Sequence, residues 1–147
     1  MKYRLAVLNS HPIQYFAPLY RHLAQTEDID LTVYYCSRQG LDAYADEGFG
    51  GEMVKWDLPL LDGYRAVFLP NLRAAGRVGG FWSLVNPQIA SELRHEQYDA
   101  LWVHGHNFAT YLIAYTAARV VGTPIFTRGE THLLLSRPLL KRLLRAP

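Results

Sequence analysis

The order of patterns in the first 36 residues constrains this chain more than any other feature. Arg4 to Asn9 (Arg-Leu-Ala-Val-Leu-Asn) is a short, nearly continuous apolar run ending in a polar residue, the pattern of a strand buried on both faces. Ile13, Phe16, Ala17, Tyr20, Leu23 and Ala24 then recur at helical spacing, and Asp30 to Cys36 is rich in β-branched and aromatic residues, which predicts a second strand. Strand, helix, strand requires a crossover, and a crossover of this length implies parallel pairing with right-handed connection. Pro12 suits the first turn of the helix, where a missing N–H costs nothing, whereas Pro18 sits deeper and is expected to bend the helix or delay its start.

From Ser37 to Asn86 the pattern loosens. Gly48, Gly50 and Gly51, then Gly76, Gly79 and Gly80, bracket a predicted strand at Tyr64 to Leu69 and a shorter one at Val54 to Trp56. The glycine-rich stretches read as mobile loops, and connections this long are usually functional. Regularity then returns. Asn86 is expected to cap a helix that has Pro87 at its first position and runs to about Gln97. Tyr98 to His104 predicts a strand, Phe108 to Val121 an apolar helix stopped by Gly122, and Pro124 to Thr127 another strand. The expected fold is α/β, one domain over residues 1–147, with a doubly wound, Rossmann-like open sheet of five or six mostly parallel strands in three layers. At this length a domain buries about 70% of its unfolded surface, enough for a core without staples.

Composition removes several classes of function. Aromatic residues at 13%, ten of them tyrosine, argue against disorder, and the lone Cys36 excludes a disulfide scaffold or a cysteine-based zinc site and points to a reducing compartment. Lys2 and Arg4 are followed by only four apolar residues before Asn9, too few for a secretory leader. The longest apolar stretch, Phe108 to Ala118, ends at Arg119, well short of the ~20 residues a spanning helix needs. A cytoplasmic protein is expected. The net charge of +2 makes no electrostatic case for nucleic acid, although it sums +3 over residues 1–26, −7 over 27–62 and +6 over 63–147. An oriented field and ordinary solvated faces both fit that distribution.

In an open parallel sheet, ligands sit beyond the carboxyl ends of the strands, where strand order reverses. The residues there are Asn9, Ser10, His11, Pro12, Ile13 and Gln14 after the first strand, His104, Gly105, His106 and Asn107 after the Tyr98 strand, and Arg128, Gly129, Glu130, Thr131 and His132 after the Pro124 strand. Four of the six histidines fall in these three segments, the polar clustering a polar-ligand crevice requires. The first turn, Asn-Ser-His-Pro-Ile, lacks the Gly-x-Gly-x-x-Gly of dinucleotide sites, so no nicotinamide or flavin is expected. Ser10 fits two compatible roles, as cap of the following helix or as a donor to an anion at its N-terminus. His104 and His106, one residue apart, would share a face of a continuing strand. They suit a general base, or a hydrogen-bond donor to sugar or phosphate, and equally a histidine that pins a loop to a neighbouring carbonyl. With no His-Glu-x-x-His and no cysteine pair, no metal is expected. Arg128 can fork onto a phosphate and Glu130 accept from sugar hydroxyls, or the two can form ion pairs with a neighbouring helix.

Four segments, in order, resemble the N-terminal domain of a GT-B-fold glycosyltransferase of the family 4 type: Ser10-His11-Pro12-Ile13-Gln14-Tyr15-Phe16 with Pro18-Leu19, Trp56 to Tyr64, Tyr98-Asp99-Ala100 leading to Val103-His104-Gly105, and Arg128-Gly129-Glu130. The resemblance spans essentially the whole chain and implies retaining transfer of a sugar from a nucleotide-sugar to a glycan, lipid-linked or small-molecule acceptor, in a cleft between two Rossmann-like domains. It implies that this domain holds the acceptor. His104 matches the family's strand-end histidine that contacts the donor sugar, and His106 is the alternative catalytic position. Ser10, His11, Gln14, Tyr15, Asn107, Arg128 and Glu130 are the implied acceptor- or phosphate-binding residues. The loop after the first strand, Ser10 to Gln14, which the resemblance places near donor phosphates and acceptor, lacks the glycines many relatives carry at that position. The family's second domain, which grips the nucleotide, has no counterpart in these 147 residues, so the chain is expected to be the acceptor half of a longer hexosyltransferase, inactive alone.

The nucleotide-sugar is then a substrate, with no cofactor or metal implied. Leu133 to Arg145 places leucines on one face and Arg137, Lys141, Arg142 and Arg145 around the other, with Ser136 as cap. Such a helix packs on the sheet or lies on an anionic membrane surface, and self-association into a homodimer is likewise open. A non-catalytic sugar- or nucleotide-binding α/β module is the alternative to a transferase.

Overall fold

A computed structural model describes residues 2–41, 44–46, 52–54, 58–73 and 77–129. Glu130, the expected helix of 133–145, and Lys55, Trp56 and Asp57 lie outside the described residues. In chain order the elements are β1 (Tyr3–Asn9), α1 (Ala17–Gln25), β2 (Ile29–Tyr35), β3 (Tyr44–Asp46), β4 (Glu52–Val54), β5 (Arg65–Phe68), a 3-10 turn at Phe81–Ser83, α2 (Gln88–Glu96), β6 (Ala100–Val103), α3 (Ala109–Val121) and β7 (Ile125–Thr127).

Five strands form one all-parallel sheet in the order β5-β2-β1-β6-β7. The fold is therefore the expected doubly wound, Rossmann-like α/β arrangement. Strand β1 is central: Tyr3 to Asn9 pair with Ile29 to Tyr35 on one side, and Leu5 to Leu8 pair with Ala100 to Val103 on the other. The chain builds outward from β1 through β2 and β5, then crosses back to add β6 and β7 on the opposite side. The order thus reverses between β1 and β6, and their carboxyl ends part there. β3, which the sequence pattern did not predict, and β4 form a separate antiparallel pair.

The period of two along β1 divides the core. Ala6 and Leu8 face one cluster with Tyr34, Leu101, Val103, Ile89, Leu93, Tyr111 and Ala114, under α2 and α3. Val7 faces the other, with Val33, Tyr35, Phe16 and Tyr20, under α1. Helices on both faces make three layers.

Two helix starts differ from expectation. α1 begins at Ala17, not near Pro12: Phe16 and Ala17 N–H donate to Ile13 C=O at 3.1 and 3.3 Å, and Pro18 occupies the first turn, the one place where its missing N–H is harmless. Ser10 is consequently far upstream of the helix and does not cap it. Asn86 does not cap α2 either, since Pro87 holds the N-cap position. The Asn86 side chain turns inward, fully buried, and the two hydrogens of Nδ2 are shared among the carbonyls of Cys36, Leu69 and Pro70 at 3.0, 2.9 and 3.1 Å. Its Oδ1 accepts the Thr110 hydroxyl at 2.8 Å, and its N–H donates to Thr110 Oγ1 at 3.0 Å. One amide thus ties the chain beyond β2 and β5 to the first turn of α3.

The described parts of the glycine-rich middle are tethered rather than loose. Asn71 Nδ2 donates to Ser83 C=O at 3.0 Å, its Oδ1 accepts from Val85 N–H at 3.0 Å, and Val78 N–H donates to Gln39 Oε1 at 2.8 Å. At the amino end of the sheet, charge serves the fold: Arg4 pairs with Glu96 and Asp30, and its N–H donates to Asp99 at 2.8 Å. Among the described residues no helix is long and apolar enough to cross a membrane.

Candidate functional site at the strand-order reversal

At the carboxyl ends of β1 and β6 a cavity of about 190 Å³ opens, lined by the post-β1 segment (Asn9, Ser10, Ile13, Tyr15, Phe16), the post-β6 segment (His104 to Phe108), Tyr111 of α3, and Arg128 with Gly129 after β7. Three segments distant in sequence converge because three parallel strands end together. The structure brings six of the expected site residues here: Ser10, Tyr15, His104, His106, Asn107 and Arg128. His11 and Gln14 do not line the cavity, although Ser10 Oγ and His11 Nδ1 stand 2.9 Å apart. Glu130 lies outside the described residues.

His104 follows β6 directly, and its N–H donates to Leu8 C=O at 3.1 Å, which locks its backbone to the central strand. Its ring packs between Phe16 and Trp102, centroids 4.3 and 4.6 Å away, and Nε2 lies 3.0 Å from Tyr20 Oη. Burial, and secondly the positive charge of Arg128, lower its pKa to about 4. The imidazole is therefore neutral at physiological pH.

The strand does not continue past His104 as the alternation of His104 and His106 assumed. Gly105 turns the chain at φ +106°, a conformation that side-chain-bearing residues rarely adopt, with its N–H donating to Val103 C=O at 3.0 Å. Tyr115 Oη donates to Gly105 C=O at 2.5 Å and holds the turn from α3. His106 reaches the cavity through this turn rather than through the pleat.

Among the described lining residues Arg128 carries the one permanent charge; its guanidinium lies over the Phe16 ring at 5.0 Å. The chemistry on offer is one cation, imidazole and amide groups, a serine hydroxyl and aromatic faces, suited to an oxygen-rich or anionic ligand. Among the described residues no group of three or more His, Cys, Asp or Glu side chains stands together to hold a metal ion.

Sequence reasoning placed Asn9 at the strand end without assigning it a role, and missed Phe16, Tyr20 and Tyr111 as site residues. Tyr20 and Tyr111 are fully buried tyrosines on helices, and burial raises the pKa of both. A tyrosine at a core-facing helical position brings a hydroxyl that must find a partner. That was the available signal, but which partner depends on the fold.

The chain matches no protein-family model and no curated protein.

Proposed function

We propose that this domain is the acceptor-side half of a GT-B-type retaining glycosyltransferase that uses a nucleotide-sugar. The observation that carries the proposal is the position and make-up of the cavity: it sits at the reversal between β1 and β6 and joins Ser10 and Tyr15 to His104 and Arg128. Those residues belong to the segments that resemble the family. At about 190 Å³ the cavity is below the about 300 Å³ lower end of self-sufficient small-molecule sites, so it suits one part of a ligand whose remainder lies against another domain. In this proposal Arg128 attracts phosphoryl oxygen, and His104 and Ser10 bind hydroxyl or phosphoryl oxygen.

The test is an amide-shift titration of the isotope-labelled chain with UDP-glucose, GDP-mannose and methyl α-glucopyranoside, with NAD as comparison. The expected result is weak binding, with Kd on the order of 1 mM, by a nucleotide-sugar or the glycoside, and shifts grouped at Ser10, His104, His106 and Arg128. Equal shifts from NAD, or none at these residues from any sugar ligand, would overturn the proposal.

A further inference from the structure

Three hydrogen bonds in series determine which nitrogen of His104 carries its proton. The first sets the Asn9 amide: Ser10 N–H can only donate, and the Asn9 atom 2.8 Å from it must be the oxygen. The amide nitrogen is then the atom 3.1 Å from Tyr20 Oη. An amide nitrogen can only donate, so Tyr20 Oη accepts from Asn9. Tyr20 is fully buried, and among the described residues its hydroxyl has two hydrogen-bond partners, Asn9 and His104. Its own hydrogen therefore goes to His104 Nε2, 3.0 Å away. The opposite arrangement, with Nε2–H donating to Tyr20, would leave three hydrogens and no lone pair for the Tyr20 proton.

We infer that Asn9 and Tyr20 are positioning residues that hold His104 as the Nδ1–H tautomer, so the ring meets a ligand as a hydrogen-bond donor to oxygen and not as a proton-accepting base. The lone pair that a general base would use is occupied by the Tyr20 hydroxyl. Both positioning residues come from the elements that frame the cavity, Asn9 from the last residue of β1 and Tyr20 from α1. Asn9, with 2% exposure, is a polar side chain in the sheet centre that this relay explains. Of the two chemical roles open to His104 on sequence alone, the relay selects donation. The identity of the ligand rests on the proposed function, whereas the tautomer is a property of the free chain.

The test reads the tautomer by long-range proton–nitrogen correlation of the histidine rings in the 147-residue chain near neutral pH, with no ligand present. The expected wild-type spectrum shows His104 Nδ1 as the protonated nitrogen and Nε2 as the bare one. Asn9→Asp is the decisive variant. One carboxylate oxygen still accepts Ser10 N–H, but the other now accepts the Tyr20 hydroxyl, which frees Tyr20 Oη to receive a hydrogen from His104. The relay reverses, and Nε2 becomes protonated. Tyr20→Phe removes the relay and leaves a mixture of the two tautomers. A wild-type ring protonated at Nε2 overturns the inference outright, and so does a folded Asn9→Asp variant that keeps bare Nε2. If Asn9→Asp does not fold, the wild-type spectrum together with Tyr20→Phe decides, with an unchanged tautomer in Tyr20→Phe counting against it. Loss of sugar binding in the titration above leaves these readouts untouched, so the two failures are distinguishable.

Discussion

Replacing Asn86 by alanine should cost this domain more stability than any surface change. The side chain is fully buried, and its amide nitrogen serves three main-chain carbonyls, of Cys36, Leu69 and Pro70, at 2.9 to 3.1 Å, while Oδ1 accepts the Thr110 hydroxyl at 2.8 Å. Alanine leaves those carbonyls without their donor. Each buried acceptor left unpaired costs about 1–3 kcal/mol, and the vacated space adds a cavity penalty, partly relieved if water enters. The expected loss is about 3–5 kcal/mol. Thr110→Val removes the hydroxyl whose single hydrogen is shared between Asn86 Oδ1 at 2.8 Å and Leu84 C=O at 2.9 Å, and should cost about 2 kcal/mol. Since the two residues share hydrogen bonds, the double variant should lose about 1 kcal/mol less than the sum. Urea unfolding followed by far-ultraviolet circular dichroism measures all three, with an unchanged slope as the sign that the native state is compared like with like. A loss below about 1 kcal/mol for Asn86→Ala, or strictly additive losses, would refute the view that this amide is the tie between β2, β5 and α3.

Acid should destabilise the fold through His104. Its pKa is about 4 in the folded chain against 6.5 for an ordinary histidine, so between those values the unfolded chain binds a proton that the folded chain refuses. Stability is full above about pH 6.5 and falls as the pH drops, levelling off near pH 4, with a loss of about 1–2 kcal/mol by pH 5 once the partial exposure of the ring is discounted. Urea midpoints at pH 7 and pH 5 should differ more for wild type than for His104→Gln; equal differences would refute the assignment. Gly105→Ala should cost about 1–2 kcal/mol through backbone strain at φ +106°, because the added methyl meets nothing closer than 3.9 Å. It should also displace the His104 and His106 amide resonances, and a neutral variant with unshifted resonances would contradict the turn.

How much of this was legible in the sequence depends on the range of the interaction involved. The strands at Tyr3–Asn9 and Ile29–Tyr35 were predicted within one residue at each end, because a strand buried on both faces writes its apolar run locally. Gly122 marks the end of α3 as expected, with φ +82°, since a left-handed cap is a local demand that glycine meets best. α1 starts at Ala17, five residues beyond Pro12, because helical spacing extends through Ile13 to Phe16 while Pro18 restricts where the first turn can lie, the delayed start that Pro18 had allowed. Asn86 has the local credentials of a cap, yet three carbonyls from distant segments compete for its amide and win. Strand-end position was enough to place His104, His106, Asn107 and Arg128 at the carboxyl edge of the sheet, where the cavity opens. Nothing local could pair Tyr20 with a histidine 84 residues away.

By itself the sequence determined the class of fold and the residues that strand ends would present: apolar runs without alternation require a two-sided sheet, and polar residues must fall where those runs stop. Strand order, the reversal between β1 and β6, and the Asn9–Tyr20–His104 relay were decided by tertiary structure alone. The reason is physical: periodicity records which face of an element is buried, but not which element buries it. A buried hydroxyl or amide takes its direction from the partner that packing supplies, and that choice decides whether the histidine at the cavity donates a proton or accepts one.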